Sequence, residues 1–261
     1  MIPLKDNIPS ERFPFVTVAL IVINVVVYLL SIRNGGNVLN GPSSPTVLHN
    51  AAIPYDFSHP GDYCTQRTAV DALGLAEAHT VCRHGAFPGQ LTTWQTAFAA
   101  MFMHGGLLHI GGNMVFLAIF GPNVEDAMGR ARFVIFYLLG GLVALAAQIL
   151  VEPSSTVPTL GASGAIAAVL GGYIVLYPRA RILSLVFIVF FVTIIEVPAV
   201  VLLGFWFLEQ LLFGASGLVN PGGGGGGIAY LAHVGGFVFG LALIGLFAVR
   251  RHSPPPRLPV Y

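Results

Sequence analysis

Apolar residues along this chain form several runs of about 20 residues, separated by polar segments. An α-helix needs about 20 apolar residues to cross the hydrocarbon core of a bilayer, so each run is a candidate span. The pattern predicts six spans, over residues 15–32, 98–121, 132–151, 162–177, 197–213 and 228–249. The expected fold class is therefore an all-α polytopic membrane protein, a bundle of six transmembrane helices.

The remaining segments divide the chain into one helical domain with two short ends. Residues 1–14 form an N-terminal segment, 15–249 the six-helix domain, and 250–261 a polar, proline-rich tail. Residues 35–91 form a long first loop that is too polar for a bilayer, and a short helix is expected over about 68–77. Nothing in the loop indicates a second domain.

Two segments around span five do not follow the simple pattern. Glu196 and Pro198 interrupt the apolar stretch 182–213, and 183–195 alone is too short to cross, so we expect it to be interfacial or partly inserted. Residues 214–227 contain six consecutive glycines, which ordered structure holds only at a high cost in backbone entropy. This segment is expected to be either a mobile lid or a passive linker.

Charge supports the membrane class and predicts the topology. Only 9% of the residues are charged, against about 25% in soluble domains, and a net charge of +1 argues against a nucleic-acid partner. With both termini in the cytoplasm, nine of the 12 Lys and Arg residues are cytoplasmic, the asymmetry expected of a correct topology. Cys64 and Cys82 then lie outside, where a disulfide is permitted, although sequence alone leaves the bridge open.

Several polar side chains share one depth in this topology. His104, His109 and Asn113 lie in span two, Ser163 opens span four, and His233 lies about one turn into span six. All three spans run from outside to inside, so these groups meet in the outer part of the bilayer. Polar groups at such depth are costly and usually face a protein interior or a water-filled cavity.

These residue types indicate nucleophilic catalysis. A serine hydroxyl becomes a nucleophile when an imidazole accepts its proton, so Ser163 and His233 form a candidate dyad. Gly236 and Gly240 would let span six approach the small-residue face of span four, which includes Gly164. No acidic residue lies at this level to orient the base. The nearest in sequence is in the loop after span three.

Acyl transfer also needs donors for a developing oxyanion. His109 and Asn113 lie four residues apart, so they face the same side of span two, and both side chains can donate. His104 precedes His109 by five residues and is suited to a supporting role near the loop. His104, His109 and His233 have no carboxylate or cysteine beside them, so we expect no metal and no other cofactor.

Three motifs carry a family resemblance. The segments HGGLLHIGGN (104–113), GASGAIAAVLGGY (161–173) and AHVGGFVFG (232–240) resemble, in this order, the signature motifs of the rhomboid family of intramembrane serine proteases. The similarity continues over most of the chain from about Trp94. It implies cleavage of transmembrane segments near their outer ends, in a bacterial inner membrane.

The resemblance also assigns roles to single residues. Ser163 would be the nucleophile and His233 the base, and Ser163, His109 and Asn113 would form the oxyanion hole. The supporting residues would be His104, Gly161, Gly164, Gly236 and Gly240.

The chain departs from the family at two positions. Some members have a Trp-Arg pair in the first loop, whereas Trp94 is followed here by Gln95. Some place a tyrosine four residues after the serine, stacked on the histidine, and here that residue is Ala167. The histidine ring would therefore need another side chain to pack against, such as an aromatic residue from span two or five.

Two other functions remain open at this point. One is a catalytically inactive relative that binds membrane clients, against which the presence of both Ser163 and His233 counts. The other is a transporter or channel that uses the polar layer as its path, against which the absence of internal repeats and of paired charges in the spans counts. The sequence indicates neither the substrate nor the oligomeric state.

Overall fold

Helices form the body of the molecule, and short sheets lie in its connections. The computed structural model describes residues 1–33, 35–70, 76–188, 191–219 and 229–249. Its helices are α1 (Phe15–Ile32), α2 (Ser44–Asn50), α3 (Pro54–Ser58), α4 (Thr93–Ala99), α5 (Leu107–Met128), α6 (Arg130–Val151), α7 (Ser163–Leu176), α8 (Ala199–Val219) and α9 (Tyr230–Phe247). Its strands are β1 (Ile2–Asp6), β2 (Gly36–Asn37), β3 (Gly41–Pro42), β4 (Asp62–Val70), β5 (Ala76–His84), β6 (Arg181–Ile188) and β7 (Phe191–Pro198).

Five helices in the described part of the chain are long and apolar enough to cross a membrane, namely α1, α5, α6, α8 and α9. The prediction of a polytopic helical membrane protein is confirmed. The remaining predicted span corresponds to α7, an apolar helix of only 14 residues. At 1.5 Å per residue it reaches about 21 Å, less than the ~30 Å hydrocarbon core, so at least one of its ends lies within the thickness of that core.

Helix α7 is the centre of the bundle. Nine consecutive residues of it, 165–173, are buried, and they are apolar or glycine on every side of the helix except for the hydroxyl of Tyr173. A helix that is apolar all round is expected to be enclosed by other helices. Ser163, the first residue of α7, is therefore held inside the bundle.

Helices α7 and α9 touch through their backbones. A Cβ atom at Gly236 would overlap the carbonyl oxygen of Gly164, and one at Gly240 would overlap that of Ala168. Absence of these side chains lets the two helix axes approach closely. The expectation that span six presses against the small-residue face of span four is confirmed.

Replacing Gly240 by alanine should lower the free energy of unfolding. The added methyl group meets backbone atoms of Ala168 and Gly172, which cannot move away as a side chain would. Overpacking of this kind costs about 1–3 kcal/mol, and the backbone contact favours the upper end. Thermal unfolding in detergent measures the effect, with Gly245→Ala as the matched control because nothing lies within 4 Å of its added Cβ. Equal melting temperatures for the two variants would contradict the close packing.

The second span begins later than predicted. Helix α4 ends at Ala99, a 3-10 turn covers Ala100–Phe102, and α5 starts only at Leu107. The prediction of a span from residue 98 is wrong because Met103 is extended and the adjacent Gly105 and Gly106 are poor helix formers. His104 therefore lies in the connection before α5.

The apolar stretch before α8 forms a β-hairpin. Strands β6 and β7 pair antiparallel, and β1 joins the other edge of β6. The stretch is rich in Val, Ile and Phe, which favour strands, and an ion pair of 3.3 Å between Arg181 and Glu196 closes its base. Its expected place at the membrane interface stays a prediction.

The N-terminal segment is anchored at the far end of α7 from Ser163. The Asp6 carboxylate accepts hydrogen bonds from the Tyr173 hydroxyl at 2.7 Å and from Asn123 Nδ2 at 2.6 Å. Burial raises the pKa of Asp6 to about 6, because it penalises the charged carboxylate. Asp6 thus fixes the N-terminal segment to α5 and α7.

The first loop has a small folded core. Cys64 and Cys82 lie opposite each other on the antiparallel strands β4 and β5, and a disulfide joins them. Cys64 packs in a buried cluster with Leu48 and Ile53. The expected helix over 68–77 is wrong, because its two ends belong to β4 and β5 and cross-strand pairing outweighs the local helix propensity there.

The segment after span five is partly helical. Helix α8 continues to Val219, so residues 214–219 are not part of a loop as predicted. Residues 220–227, which include the six glycines, lie outside the described residues, as does the tail 250–261. The lid therefore stays a prediction.

Candidate active site

Ser163 and His233 meet across the contact between α7 and α9. The Ser163 hydroxyl oxygen lies 2.8 Å from His233 Nε2. Ser163 is the first residue of α7 and His233 lies in the first turn of α9, next to the close approach at Gly164 and Gly236. The structure thus brings together the two residues that the sequence predicted as a dyad.

The second ring nitrogen of His233 meets a residue that the sequence reasoning missed. The side-chain oxygen of Gln210, a buried residue of α8, lies 2.7 Å from His233 Nδ1. The sequence predicts no carboxylate at this level, and so no partner for this nitrogen. The polarity of Gln210 inside an apolar span is nevertheless a signal, since such a residue usually faces the protein interior.

The indole ring of Trp206 packs beside the imidazole ring of His233. Its ring centroid lies 5.8 Å from that of His233, with 34° between the planes, and Trp206 is one helical turn before Gln210 in α8. Tyr230 approaches the same histidine edge-on at 6.5 Å. The expectation that an aromatic residue of span two or five replaces the one absent at Ala167 is confirmed, with span five as the source.

His109 is held with one ring nitrogen available as a donor. The backbone N–H of Gly105 donates to His109 Nδ1 at 3.3 Å, so Nδ1 accepts and the proton of a neutral ring sits on Nε2. This nitrogen lies 2.7 Å from the position that a Cβ of Gly161 would take. Gly161 has φ of +122°, which disfavours any other residue there, and the missing side chain leaves room for His109 beside Ser163.

Asn113 offers a second donor. Its side-chain nitrogen Nδ2 is buried and has no hydrogen-bond partner among the described residues. Asn113 also lines the cavity, so this donor is available to a group bound there. The start of α7 adds backbone N–H groups of its first turn, including that of Ser163, which have no partner within the helix.

His104 lies behind His109 rather than in the open mouth of the site. It is fully buried, and its ring meets that of His109 edge-on with centroids 5.1 Å apart. It therefore limits how far the His109 ring can turn.

Glu152 does not touch the histidine base. Its carboxylate accepts a hydrogen bond of 2.7 Å from Gln148 Nε2, and Gln148 Oε1 accepts one of 3.2 Å from the backbone N–H of Ala232. The Gln148–Glu152 pair thus fixes the start of α9, one residue before His233.

Several of these side chains line one cavity of about 750 Å³. His109, Asn113, Ser163 and His233 supply polar groups to its lining, and most of the remaining wall is apolar. A mainly apolar cavity with a few convergent polar groups is the usual form of a ligand or substrate site. The disulfide of the first loop does not line it.

The site and the fold together define a class of protein. In the described part of the chain no group of three His, Cys, Asp or Glu residues could hold a metal ion. The cavity instead holds a serine hydroxyl oxygen 2.8 Å from an imidazole nitrogen, with further N–H donors close by. The chain is thus an integral membrane protein with a serine–histidine site inside its helical bundle.

Comparison with known proteins agrees with this class. Residues 90–250 match the model of the Rhomboid domain, which is more than half of the chain. The chain belongs to the rhomboid family.

Three curated relatives share about a third of their aligned residues with the chain. Rhomboid protein 1, mitochondrial, of Saccharomyces cerevisiae is 31% identical over 157 residues, 58% of this chain and 41% of that protein. Rhomboid protease GluP of Bacillus subtilis is 31% identical over 178 residues, 66% of this chain and 31% of that protein. Putative rhomboid protease YdcA of Bacillus subtilis is 31% identical over 81 residues, 31% of this chain and 40% of that protein. The chain thus spans less than half the length of each of these relatives.

Proposed function

We propose that the chain is an intramembrane serine endopeptidase that cleaves transmembrane segments of membrane proteins near their extracytoplasmic ends. One observation carries the proposal: the Ser163 hydroxyl lies 2.8 Å from His233 Nε2 at a cavity inside a bundle of membrane-spanning helices. Family membership supports it, and two of the relatives are named as rhomboid proteases, one of them as putative. The catalytic unit comprises residues 15–249.

The reaction proceeds in two halves. Ser163 Oγ attacks the carbonyl carbon of the scissile peptide while His233 Nε2 takes the hydroxyl proton. The C–N bond then breaks, and the imidazolium returns that proton to the leaving amine. In the second half, His233 takes a proton from water as the water attacks the acyl ester. Ser163 leaves with that proton, and the new carboxyl end of the substrate is released.

The oxyanion of each tetrahedral intermediate needs donors in fixed positions. His109 Nε2–H, the side-chain amide of Asn113 and the backbone N–H of Ser163 take this role. Because these donors are in place before the reaction, they need little reorganisation as charge develops, and the apolar surroundings strengthen their effect.

We propose further that the dyad faces the extracytoplasmic side of a bacterial inner membrane, with both termini in the cytoplasm. The first loop lies at the dyad end, since Ala52 pairs with Thr159, four residues before Ser163. The disulfide in this loop supports an oxidising compartment there. The distribution of Lys and Arg supports the same orientation.

Cleavage in a reconstituted membrane tests the proposal. The purified chain is placed in liposomes with a panel of single-span proteins, and mass spectrometry locates the cuts. We expect cuts within the outer part of the transmembrane segment. Cuts confined to soluble domains, or none in any panel member while the chain remains folded, would contradict the proposal.

Chelators should leave this cleavage unchanged. The histidines are assigned to proton transfer and hydrogen bonding, so removal of divalent metals by a chelator removes no group that the reaction needs. Rates with and without the chelator are compared in the same liposomes. A loss of cleavage that added zinc restores would overturn the assignment of the histidines.

A further inference from the structure

Two helices hold the imidazole of His233 from opposite sides. Ser163 in α7 contacts Nε2 at 2.8 Å, and Gln210 in α8 contacts Nδ1 at 2.7 Å. A neutral imidazole has one proton for these two nitrogens, so the direction of one hydrogen bond determines the direction of the other. The role of Gln210 therefore depends on which of its amide atoms faces the ring.

The other half of the Gln210 amide fixes its orientation. Gln210 Nε2 donates to the carbonyl oxygen of Trp206 at 3.4 Å, and a carbonyl oxygen can only accept. Rotating the amide by 180° would place two acceptors against each other at this contact. The amide oxygen thus faces His233 Nδ1, and this nitrogen must carry the proton.

We propose that Gln210 is a positioning residue that holds His233 in the Nδ1–H tautomer, which leaves Nε2 free to accept the Ser163 proton. In the other tautomer Nε2 would already be protonated and could not act as a base. This inference rests on the proposed function, because it assigns His233 the role of the base.

A glutamine is suited to this role inside a membrane. The surroundings of His233 are Trp206, Tyr230 and the apolar cavity wall, and an ionised carboxylate there would be costly. The amide oxygen accepts the same hydrogen bond without a buried charge. It stabilises the imidazolium less than a carboxylate would, so its main effect is orientation.

Because of this contact, the orientation of the His233 imidazole depends on how α8 packs against α9. Phe207 of α8 stacks on Phe237 of α9 at 4.5 Å, which holds Gln210 beside His233. The opposite side of α8 is exposed, as at Leu208 and Leu212. Displacement of α8 from α9 would therefore remove two contacts of the His233 ring together, the acceptor at Nδ1 and the packing of Trp206.

Gln210→Met tests the role in catalysis. Methionine keeps the length of the side chain and removes both amide atoms, so kcat should fall by about 10- to 100-fold, the usual loss for one hydrogen bond to a group that becomes charged. The KM should change by less than about twofold, because Gln210 contacts the base and not the substrate. Leu212→Met, on the exposed side of the same helix, is the control and should match the unsubstituted chain. A kcat of the Gln210 variant equal to that of the control would overturn the proposal.

Two readouts separate orientation from a general structural effect. Nitrogen NMR of ¹⁵N-histidine-labelled protein, with the His233 signal assigned from a His233→Asn variant, should report the Nδ1–H tautomer in the unsubstituted chain. The Nε2–H tautomer there would overturn the proposal without any substitution of Gln210. In Gln210→Met the same measurement should show the His233 signal shifted toward the Nε2–H tautomer, because the acceptor of the Nδ1 proton is gone. An unchanged Nδ1–H tautomer in that variant would contradict the positioning role.

The tests distinguish this inference from the proposed function. Cleavage retained in Ser163→Ala would reject the function, whatever Gln210 does. Cleavage lost in Ser163→Ala but unchanged in Gln210→Met would reject the positioning role alone.

Discussion

Ser163→Ala should reduce cleavage of a membrane-anchored substrate to the uncatalysed background, because it removes the atom that forms the acyl bond. In a soluble serine protease the same loss lowers kcat by about a million-fold. His233→Ala should have a similar effect, and the double variant should be no worse than either, since the two residues act as one chemical unit.

The measurement is the rate of product formation in liposomes, with the thermal unfolding of each variant as the control for folding. Ser163 and His233 are only half-buried, so neither change is expected to unfold the bundle. Cleavage retained in Ser163→Ala would end the serine-protease hypothesis. Additive losses in the double variant would mean that the two residues do not act together.

Asn113→Ala should lower kcat by about 10²- to 10³-fold and leave KM nearly unchanged. Asn113 Nδ2 has no hydrogen-bond partner in the described part of the chain, and Asn113 lines the cavity, so this donor is available to an oxyanion. Its hydrogen bond strengthens only as charge develops in the transition state, where one such donor contributes about 3–4 kcal/mol in soluble proteases.

His109 can reduce the loss, because it lines the same cavity and has its own donor, Nε2–H. The double variant Asn113→Ala with His109→Ala should therefore lose more than either single variant. Asn113→Leu is a matched control that keeps the approximate size of the side chain and removes both amide atoms without adding a charge, so it should behave like Asn113→Ala. Full activity in the double variant would place the oxyanion site elsewhere.

The sequence predicted the contacts that depend on motif order and helix depth. The serine and histidine motifs lie on spans that run in the same direction, so Ser163 and His233 were expected at one level. Small residues at Gly164, Gly236 and Gly240 were expected to let the helices meet. The structure confirms both the close approach and the pairing at 2.8 Å.

The sequence could not predict contacts that depend on helix rotation and strand pairing. The polarity of Gln210 inside an apolar span indicates that it faces inward, but its contact with His233 depends on how α8 is rotated against α9, which the sequence does not show. The hairpin of β6 and β7 and the disulfide hairpin of the first loop depend on a partner strand, so local propensity gave an incorrect or incomplete prediction there. The start of α5 was missed because a glycine pair inside an apolar run gives only a weak signal for a break.

Labelling by a fluorophosphonate probe tests the central claim, an activated serine inside the membrane, most directly. The probe reacts with a serine whose hydroxyl is deprotonated by a neighbouring base, and it needs no knowledge of the natural substrate. We expect one labelled residue, Ser163, identified by mass spectrometry of the labelled peptide, and no labelling in His233→Ala. Labelling of another serine, or none in folded protein, would contradict the account.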